Sequence, residues 1–266
     1  NVKAGKFLFK KDMTSFDMIR SLRLNVPVNV AFNNQETLGK LVQRLSTQLE
    51  PDSLALEVAF TNTPFLQENG FTEETILALF IPNTYEFYWN TPANKIANKL
   101  AKEYNKFWNE DRLTKAKAKN LTPIQVYTLA SIVHKETAKV DERPDVAGVY
   151  LNRLRQDMPL QADPTIIYAI KLRSGDFDQE IKRVFYNDLR IKSPYNTYIN
   201  KGLPPGPIAM PDVSAIDAVL NATNHDYIYF CANPDKPGYH AFASSYEAHQ
   251  VNAKKYAEWV TKLGID

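Results

Sequence analysis

The sequence lacks several features that would place a protein in a class at once. Its 266 residues include one cysteine, so no disulfide can form within the chain. That residue, Cys231, lies in the apolar run YIYFCA, where a small buried side chain is a better interpretation than a nucleophile. The formal net charge is only +2, which argues against the strongly basic surface of a nucleic-acid or anionic-membrane binder. We therefore predict no nucleic-acid partner.

Long hydrophobic runs are also missing. No stretch approaches the roughly 18 apolar residues that a membrane-spanning helix needs, and no signal peptide is present. We expect any membrane anchor or export signal to lie upstream of Asn1. The nucleotide and hydrolase motifs GxGxxG, the Walker loop and GxSxG do not occur. The 4 histidines lack metal-ligand spacing, so we predict neither a metal nor a cofactor.

The overall amino-acid composition is typical of a globular protein with a hydrophobic core. Hydrophobic residues make up 44% of the chain and charged residues 23%. Aromatic residues reach 12%, a share compatible with a carbohydrate-binding surface, although most of them are expected in the core.

The first part of the chain, 1–51, predicts a small βαβα module. The expected elements are strands at 7–9 and 26–32 and helices over about 14–24 and 38–49. We place a domain boundary at its end, so that the second domain covers 52–266.

The second domain predicts mainly helices with a short antiparallel sheet, which makes the fold class α+β. The expected helices run over about 122–137, 144–155, 212–222 and 245–263, with another short one after 160. The segment SPYNTYINKGLPPGPIAMP, at 193–211, is expected as a stiff extended loop because it is rich in proline. YIYFCA and YHAFA, joined by a turn, predict a β-hairpin over 227–243.

The best-marked helix begins at Thr122, where Pro123 and Gln125 complete a capping-box pattern. Near its end stands Glu136. On a helical wheel Glu136 lies within about 60° of apolar Ile132 and Val133, so it projects from the apolar face. His134 lies about 160° away from Glu136 and is therefore a poor candidate for its partner.

Glu136 is the candidate catalytic residue. Apolar neighbours and the negative end of a helix both raise the pKa of a carboxyl group, as a general acid requires. The alternative is a structural ion pair with Arg143 or Arg153. Two further acids, Asp141 and Glu142, follow in the turn, where we expect them to cap the next helix.

Two polar segments are candidates to converge on Glu136. Their members are Gln161, Asp163 and Thr165 in QADPT, and Tyr195, Asn196, Thr197 and Tyr198 on the proline-rich loop. Tyrosine rings suit the apolar faces of sugars, and an amide suits N-acetyl groups. The alternative for both tyrosines is core packing with a tethered hydroxyl.

The second domain contains five motifs in a fixed order: SIVHKET, DERPDVAGVYLNRL, MPLQADPTIIYA, SPYNTYINKGLPPGPIAMP and YIYFCANPDKPGYHAF. In order and spacing they resemble the MltG/YceG family, the membrane-anchored endolytic murein transglycosylases of bacteria. The match is strong over about 120–260. NTYEFY fits a weaker family signature, and 1–51 resembles the family's LysM-like region, incomplete at its N-terminus.

The resemblance implies an enzyme that cleaves the β-1,4 bond between MurNAc and GlcNAc in nascent peptidoglycan strands. The family motif, roughly SI-[IV]-EKE-[TA], places the catalytic glutamate at Glu136. His134 departs from the motif at its first glutamate, and we expect this change to be tolerated because position 134 faces away. By resemblance the QADPT and NTY segments bind the glycan. The resemblance also implies a cell-envelope protein with one inner-membrane anchor and this part on the periplasmic side, with peptidoglycan synthases as candidate partners.

In the implied reaction the C6 hydroxyl of MurNAc attacks C1, and a 1,6-anhydro end results without water. Since the nucleophile is internal, one glutamate can serve first as acid and then as base. Two alternatives stay open: a glycoside hydrolase that pairs Glu136 with Asp163, or a noncatalytic glycan-binding module of the cell-wall machinery.

Overall fold

The structure is a computed structural model that describes residues 4–264. The chain divides into two compact units, with the division after Phe107. Both units combine helices with one small antiparallel sheet, so the predicted α+β class is confirmed. No helix within 4–264 combines the length and the apolar character that crossing a membrane requires.

The first unit contains five helices and a two-stranded sheet among its described residues. Its elements are α1 (Ser15–Ser21), β1 (Pro27–Phe32), α2 (Leu38–Ser46), α3 (Ser53–Thr61), α4 (Thr63–Asn69), a 3-10 turn (Ile76–Leu79), β2 (Asn83–Tyr88) and α5 (Ala93–Phe107). Strands β1 and β2 pair antiparallel, with Val30 opposite Tyr85. The alternation in β1 puts Val30 and Phe32 in the core, as the period-two pattern predicts.

One predicted element of this unit is wrong. Residues 7–9 form no strand, and Leu8 and Phe9 are at least half exposed. Strand β1 takes its partner from 83–88, far along the chain, and among residues 4–264 this sheet has two strands. This pairing crosses the boundary expected after residue 51, and the LysM-like assignment of 1–51 stays a prediction.

The second unit is built around a buried central helix. Its elements are α6 (Glu110–Ala118), α7 (Pro123–Glu136), α8 (Arg143–Arg155), α9 (Asp163–Ser174), a 3-10 turn (Asp188–Arg190), α10 (Val213–Leu220), β3 (Tyr229–Ala232), β4 (His240–Ala243) and α11 (Tyr246–Leu263). The predicted helices and the hairpin are confirmed to within a few residues. Helix α7 packs against α8, α9 and α10, and it is buried from Val126 to Val133.

The start of α7 follows the predicted capping box. The Gln125 amide N–H donates to Thr122 Oγ1 at 3.2 Å, and the Thr122 amide N–H donates to Gln125 Oε1 at 2.9 Å. The helix ends at Glu136, since Thr137 is already extended. The sequence therefore fixes both the start of the helix and the place of the glutamate at its end.

The expected caps of α8 are wrong. Glu142 is the N-cap residue, yet its side chain makes no capping bond. Its carboxylate instead accepts hydrogen bonds from the Thr137 hydroxyl at 3.0 Å and from the His240 backbone amide at 2.6 Å. Asp141 accepts from the Tyr239 hydroxyl at 3.0 Å. Both acids therefore bond to Tyr239 and His240 of the hairpin instead of capping α8. These bonds connect the hairpin to the turn between α7 and α8.

Candidate active site

The centre of the candidate site is the pair Glu136 and Tyr150. Tyr150 lies on α8 and is only 2% exposed, and its hydroxyl donates a hydrogen bond to Glu136 Oε1. The ring of Phe230, from β3, meets the Tyr150 ring edge-on at 5.8 Å between centroids. Helices α7 and α8 therefore supply the hydrogen-bonded pair, and the hairpin packs against the tyrosine ring.

Burial raises the pKa of Glu136 from its ordinary value of 4.5 to about 7. The hydrogen bond from Tyr150 opposes this shift, and the positive charge of Arg153 opposes it further. The negative charge of Asp163 adds to the increase. Near neutral pH the carboxyl group is thus present in both its acid and its base form, which suits acid–base catalysis.

Arg153 holds the loop beside the carboxyl group. It is 7% exposed, and its Nη1 donates to the carbonyl oxygens of Pro159 and Leu160, at 3.1 and 2.9 Å, and to Gln161 Oε1 at 3.1 Å. Its Nε donates to the Ile228 carbonyl at 2.6 Å. One guanidinium group therefore joins the segment before α9 to the segment before β3.

The structural alternative for Glu136 is an ion pair with Arg143 or Arg153. Among residues 4–264 the glutamate makes no such pair with either candidate. Arg143 instead donates to Asp212 Oδ2 at 3.2 Å and to the Ser214 hydroxyl. The positive charge of Arg153 lowers the pKa of Glu136.

Three of the predicted glycan-binding residues form a polar rim at this site. Asp163, at the start of α9, accepts a hydrogen bond from the Tyr198 hydroxyl at 2.6 Å, and both residues lie within electrostatic range of Glu136. Gln161 is exposed and adopts a φ of 52°, with its amide N–H bonded to the Thr197 carbonyl at 3.0 Å. These contacts join the two polar segments to each other, and their role in glycan binding stays a prediction.

The other four predicted residues are buried behind this rim: Thr165, Tyr195, Asn196 and Thr197. The Thr165 and Thr197 hydroxyl oxygens lie 2.8 Å apart. The Asn196 amide donates to the carbonyls at 189 and 191, and Tyr195 packs on Tyr168 with ring centroids 4.7 Å apart. Since the polar groups described here bond within the protein, these side chains support the loop that carries Tyr198.

His134 contacts other elements. Its Nδ1 lies 3.3 Å from Asp212 Oδ2 and 3.3 Å from Arg143 Nη2. Burial lowers the pKa of His134, and the charge of Asp212 partly offsets that effect. These contacts connect the end of α7 with the starts of α8 and α10.

The sequence reasoning missed Tyr150 as part of the site, because it fits the apolar stripe of α8. A signal was available, since a buried tyrosine hydroxyl usually has a hydrogen-bond partner. The loop-holding contacts of Arg153 carried no sequence signal. Among residues 4–264 no group of three or more histidine, cysteine or acidic side chains is arranged to hold a metal ion.

Comparison with known proteins gives consistent matches. The model of the YceG-like family matches residues 1–255. The chain is 35% identical to the endolytic murein transglycosylase of Bacillus subtilis (strain 168), over 95% of this chain and 66% of that protein. It is 29% identical to the protein of the same name from Streptococcus pneumoniae serotype 2, over 96% of this chain and 51% of that protein. The chain thus spans between about half and two thirds of the length of these curated relatives.

A solved structure agrees with the fold. The crystal structure of a YceG-like protein from Listeria monocytogenes matches with a TM-score of 0.68 at 26% identity. The match covers 94% of this chain and 84% of the other.

Proposed function

This chain belongs to the YceG-like family, and we propose that it is an endolytic lytic transglycosylase of peptidoglycan in which Glu136 is the single general acid and base. The observation that carries the proposal is one carboxyl group at a helix end that accepts a hydrogen bond from the buried Tyr150 hydroxyl, and burial raises its pKa to about 7. The name shared by the curated relatives supports the reaction class.

The proposed reaction uses the two forms of Glu136 in turn. The neutral acid gives its proton to the glycosidic oxygen, so that GlcNAc leaves as an alcohol while the C1–O bond breaks. The C6 hydroxyl of MurNAc then attacks C1, and the carboxylate takes the hydroxyl proton. The enzyme ends in its starting protonation state, and the product carries a 1,6-anhydro ring. Tyr150 stabilises the carboxylate between the two steps through its hydrogen bond.

The polar rim supplies the proposed contacts to the glycan. Cleavage passes through an oxocarbenium-like state with positive charge at the sugar ring. We assign the stabilisation of that charge to the carboxyl group of Asp163, which accepts a hydrogen bond from the Tyr198 hydroxyl. Gln161 is exposed, and since its side-chain oxygen accepts from Arg153, we assign its NH2 group to hydrogen bonds with the sugars. The buried residues of the two segments position this rim.

The proposed setting is the cell envelope. The substrate is the glycan strand of peptidoglycan, and peptidoglycan synthases are the proposed protein partners. We expect a membrane anchor upstream of this chain and place this part of the protein on the periplasmic side.

Replacing the proposed acid tests the proposal. Glu136→Gln should abolish release of soluble fragments from peptidoglycan, because the amide cannot transfer the proton. Fold and binding to purified glycan strands should persist. Glu180→Gln is the matched control, since that side chain is 79% exposed. If Glu136→Gln changed no product, the noncatalytic glycan-binding module would be the better explanation.

A two-carboxylate glycoside hydrolase is the second candidate, favoured by one observation. Asp163 is close enough for its charge to raise the pKa of Glu136, and hydrolases use such pairs. Asp163→Asn would abolish a hydrolase, whereas the transglycosylase should keep part of its turnover. Reaction in heavy-oxygen water separates the two further, because only hydrolysis places solvent oxygen in the new end.

A further inference from the structure

A groove in the second unit lies away from Glu136 and is not used by the proposed reaction. It has a volume of about 810 Å³, which falls in the range of roughly 300–1,000 Å³ typical of ligand pockets. It is lined by the end of α6, the first turns of α7, one side of α8, the segment at 222–224 and the GLPP part of the proline-rich loop. Thr128, which lines it, precedes Glu136 on α7 by about 12 Å of helix.

The charge of the groove has one sign. Lys119 and Arg155 line it, and none of the described lining residues is acidic. Neither cation forms an ion pair with an acid within 4–264. Lys119 is half-buried, and burial lowers its pKa because no carboxylate compensates its charge. Two cations without an acidic partner in this range, Lys119 half-buried and Arg155 exposed, favour an anion.

Arg155 is held in place by its neighbour. The Asn152 side-chain amide donates to the carbonyls of His225 and Tyr227, at 2.7 and 2.9 Å, which fixes the orientation of the amide group. Its oxygen then accepts a hydrogen bond from Arg155 Nη2. Because only Nη2 of Arg155 is bonded to Asn152, the other nitrogens of the guanidinium group can donate to a ligand. Two parallel N–H groups of a guanidinium match the two oxygens of a carboxylate.

The remaining wall is apolar and stiff. Leu203, Pro205 and Leu151 line it, and the two prolines at 204–205 restrict the backbone. A ligand that fills the groove should therefore combine carboxylates with small apolar groups. A bare phosphate chain offers the charge without the apolar groups.

We propose that this groove binds the acidic stem peptide carried by MurNAc, with Arg155 and Lys119 on its carboxylates and the Leu203–Pro205 wall on its alanine methyl groups. This inference rests on the proposed function, which supplies a glycan strand with peptides attached. It also gives a role to the GLPP motif, which lies at the groove.

The binding test uses a probe of defined chemistry. Synthetic L-alanyl-D-isoglutamate is titrated into the Glu136→Gln protein, which needs no turnover, and binding is followed by NMR. The double change Lys119→Gln/Arg155→Gln should weaken binding at least about tenfold, because two charged hydrogen bonds are lost. Lys182→Gln, at a side chain that is 80% exposed, is the matched charge control and should bind like the parent. Absence of binding would overturn the proposal, as would equal displacement of the peptide by inorganic phosphate.

The second test asks for the consequence in cleavage. The enzyme should show a lower KM for strands that carry stem peptides than for strands stripped by an amidase. The double variant should lose this difference, whereas Lys182→Gln should keep it. A preference that survives in the double variant would overturn the groove proposal even if cleavage itself were confirmed. Failure of cleavage with peptide binding intact would instead contradict the proposed function alone.

Discussion

The hydroxyl of Tyr150 donates a hydrogen bond to Oε1 of Glu136. The donor stabilises the ionised carboxylate, whereas burial stabilises the neutral acid, and burial has the larger effect. The balance leaves the pKa of Glu136 at about 7, so that the same group can give a proton and later take one.

Tyr150→Phe should raise the pKa of Glu136 further, because it removes a hydrogen bond to the charged form. A bond of about 1 kcal/mol corresponds to roughly one pH unit, so the limb of the pH–rate profile that reports Glu136 should move up by about that amount. Turnover against pH measures the shift. Tyr239→Phe is the matched control, since it also removes a phenol bonded to a carboxylate, at Asp141. Identical profiles for both variants would contradict this account of the pair.

Glu136→Gln should stabilise the folded protein, and more at high pH than at low pH. The raised pKa means that the folded state holds a proton between about pH 4.5 and 7 that the unfolded state has released. Stability of the wild type therefore falls as pH rises through this window, by up to about 3 kcal/mol. Urea unfolding of both proteins at pH 4 and pH 8 measures the effect. A gain of equal size at both values would show that burial does not perturb this carboxyl group.

Arg153→Gln and Arg153→Lys should separate geometry from charge. Both variants lose the guanidinium group that donates to the carbonyls of Pro159, Leu160 and Ile228. The free energy of unfolding should therefore fall by about 2–4 kcal/mol in each. Only the glutamine variant also loses the positive charge, so it should raise the pKa of Glu136 more. Urea titrations and pH–rate profiles measure the two effects. Equal shifts of the profile in both variants would contradict the electrostatic role of the arginine.

The site was predictable where local chemistry decides the structure. The capping box of Thr122 and the 3.6-residue period place Glu136 at the end of α7 with an apolar side toward the core. The hairpin also follows from a local pattern, two short apolar runs joined by turn residues.

The features that could not be predicted from the sequence depend on contacts between residues far apart in the chain. β1 pairs with β2 instead of a strand at 7–9, since partners distant in the chain leave no local mark. The Glu142 carboxylate accepts a hydrogen bond from the His240 amide, 98 residues away, instead of capping α8 as expected. The burial of Thr197 likewise depends on distant partners, since its hydroxyl oxygen accepts from the Ala162 amide and lies 2.8 Å from the Thr165 hydroxyl oxygen.

His134→Glu should be tolerated. The side chain contacts Arg143 and Asp212, so a carboxylate there gains one opposite charge and faces one like charge. We expect turnover within about threefold of the wild type, as for other changes that cost about 0.5 kcal/mol. His134→Gln is the uncharged control. Activity that appears only in the glutamate variant would mean that position 134 takes part in catalysis.

The central claim is that Glu136 alone, as acid and then base, drives cleavage without water. Mass spectrometry of the fragments released from peptidoglycan by the wild type and by Glu136→Gln tests it most directly. The account predicts 1,6-anhydroMurNAc ends, one water lighter than reducing ends, from the wild type and none from the variant. Reducing ends alone from the wild type, or anhydro ends that persist in Glu136→Gln, would contradict it.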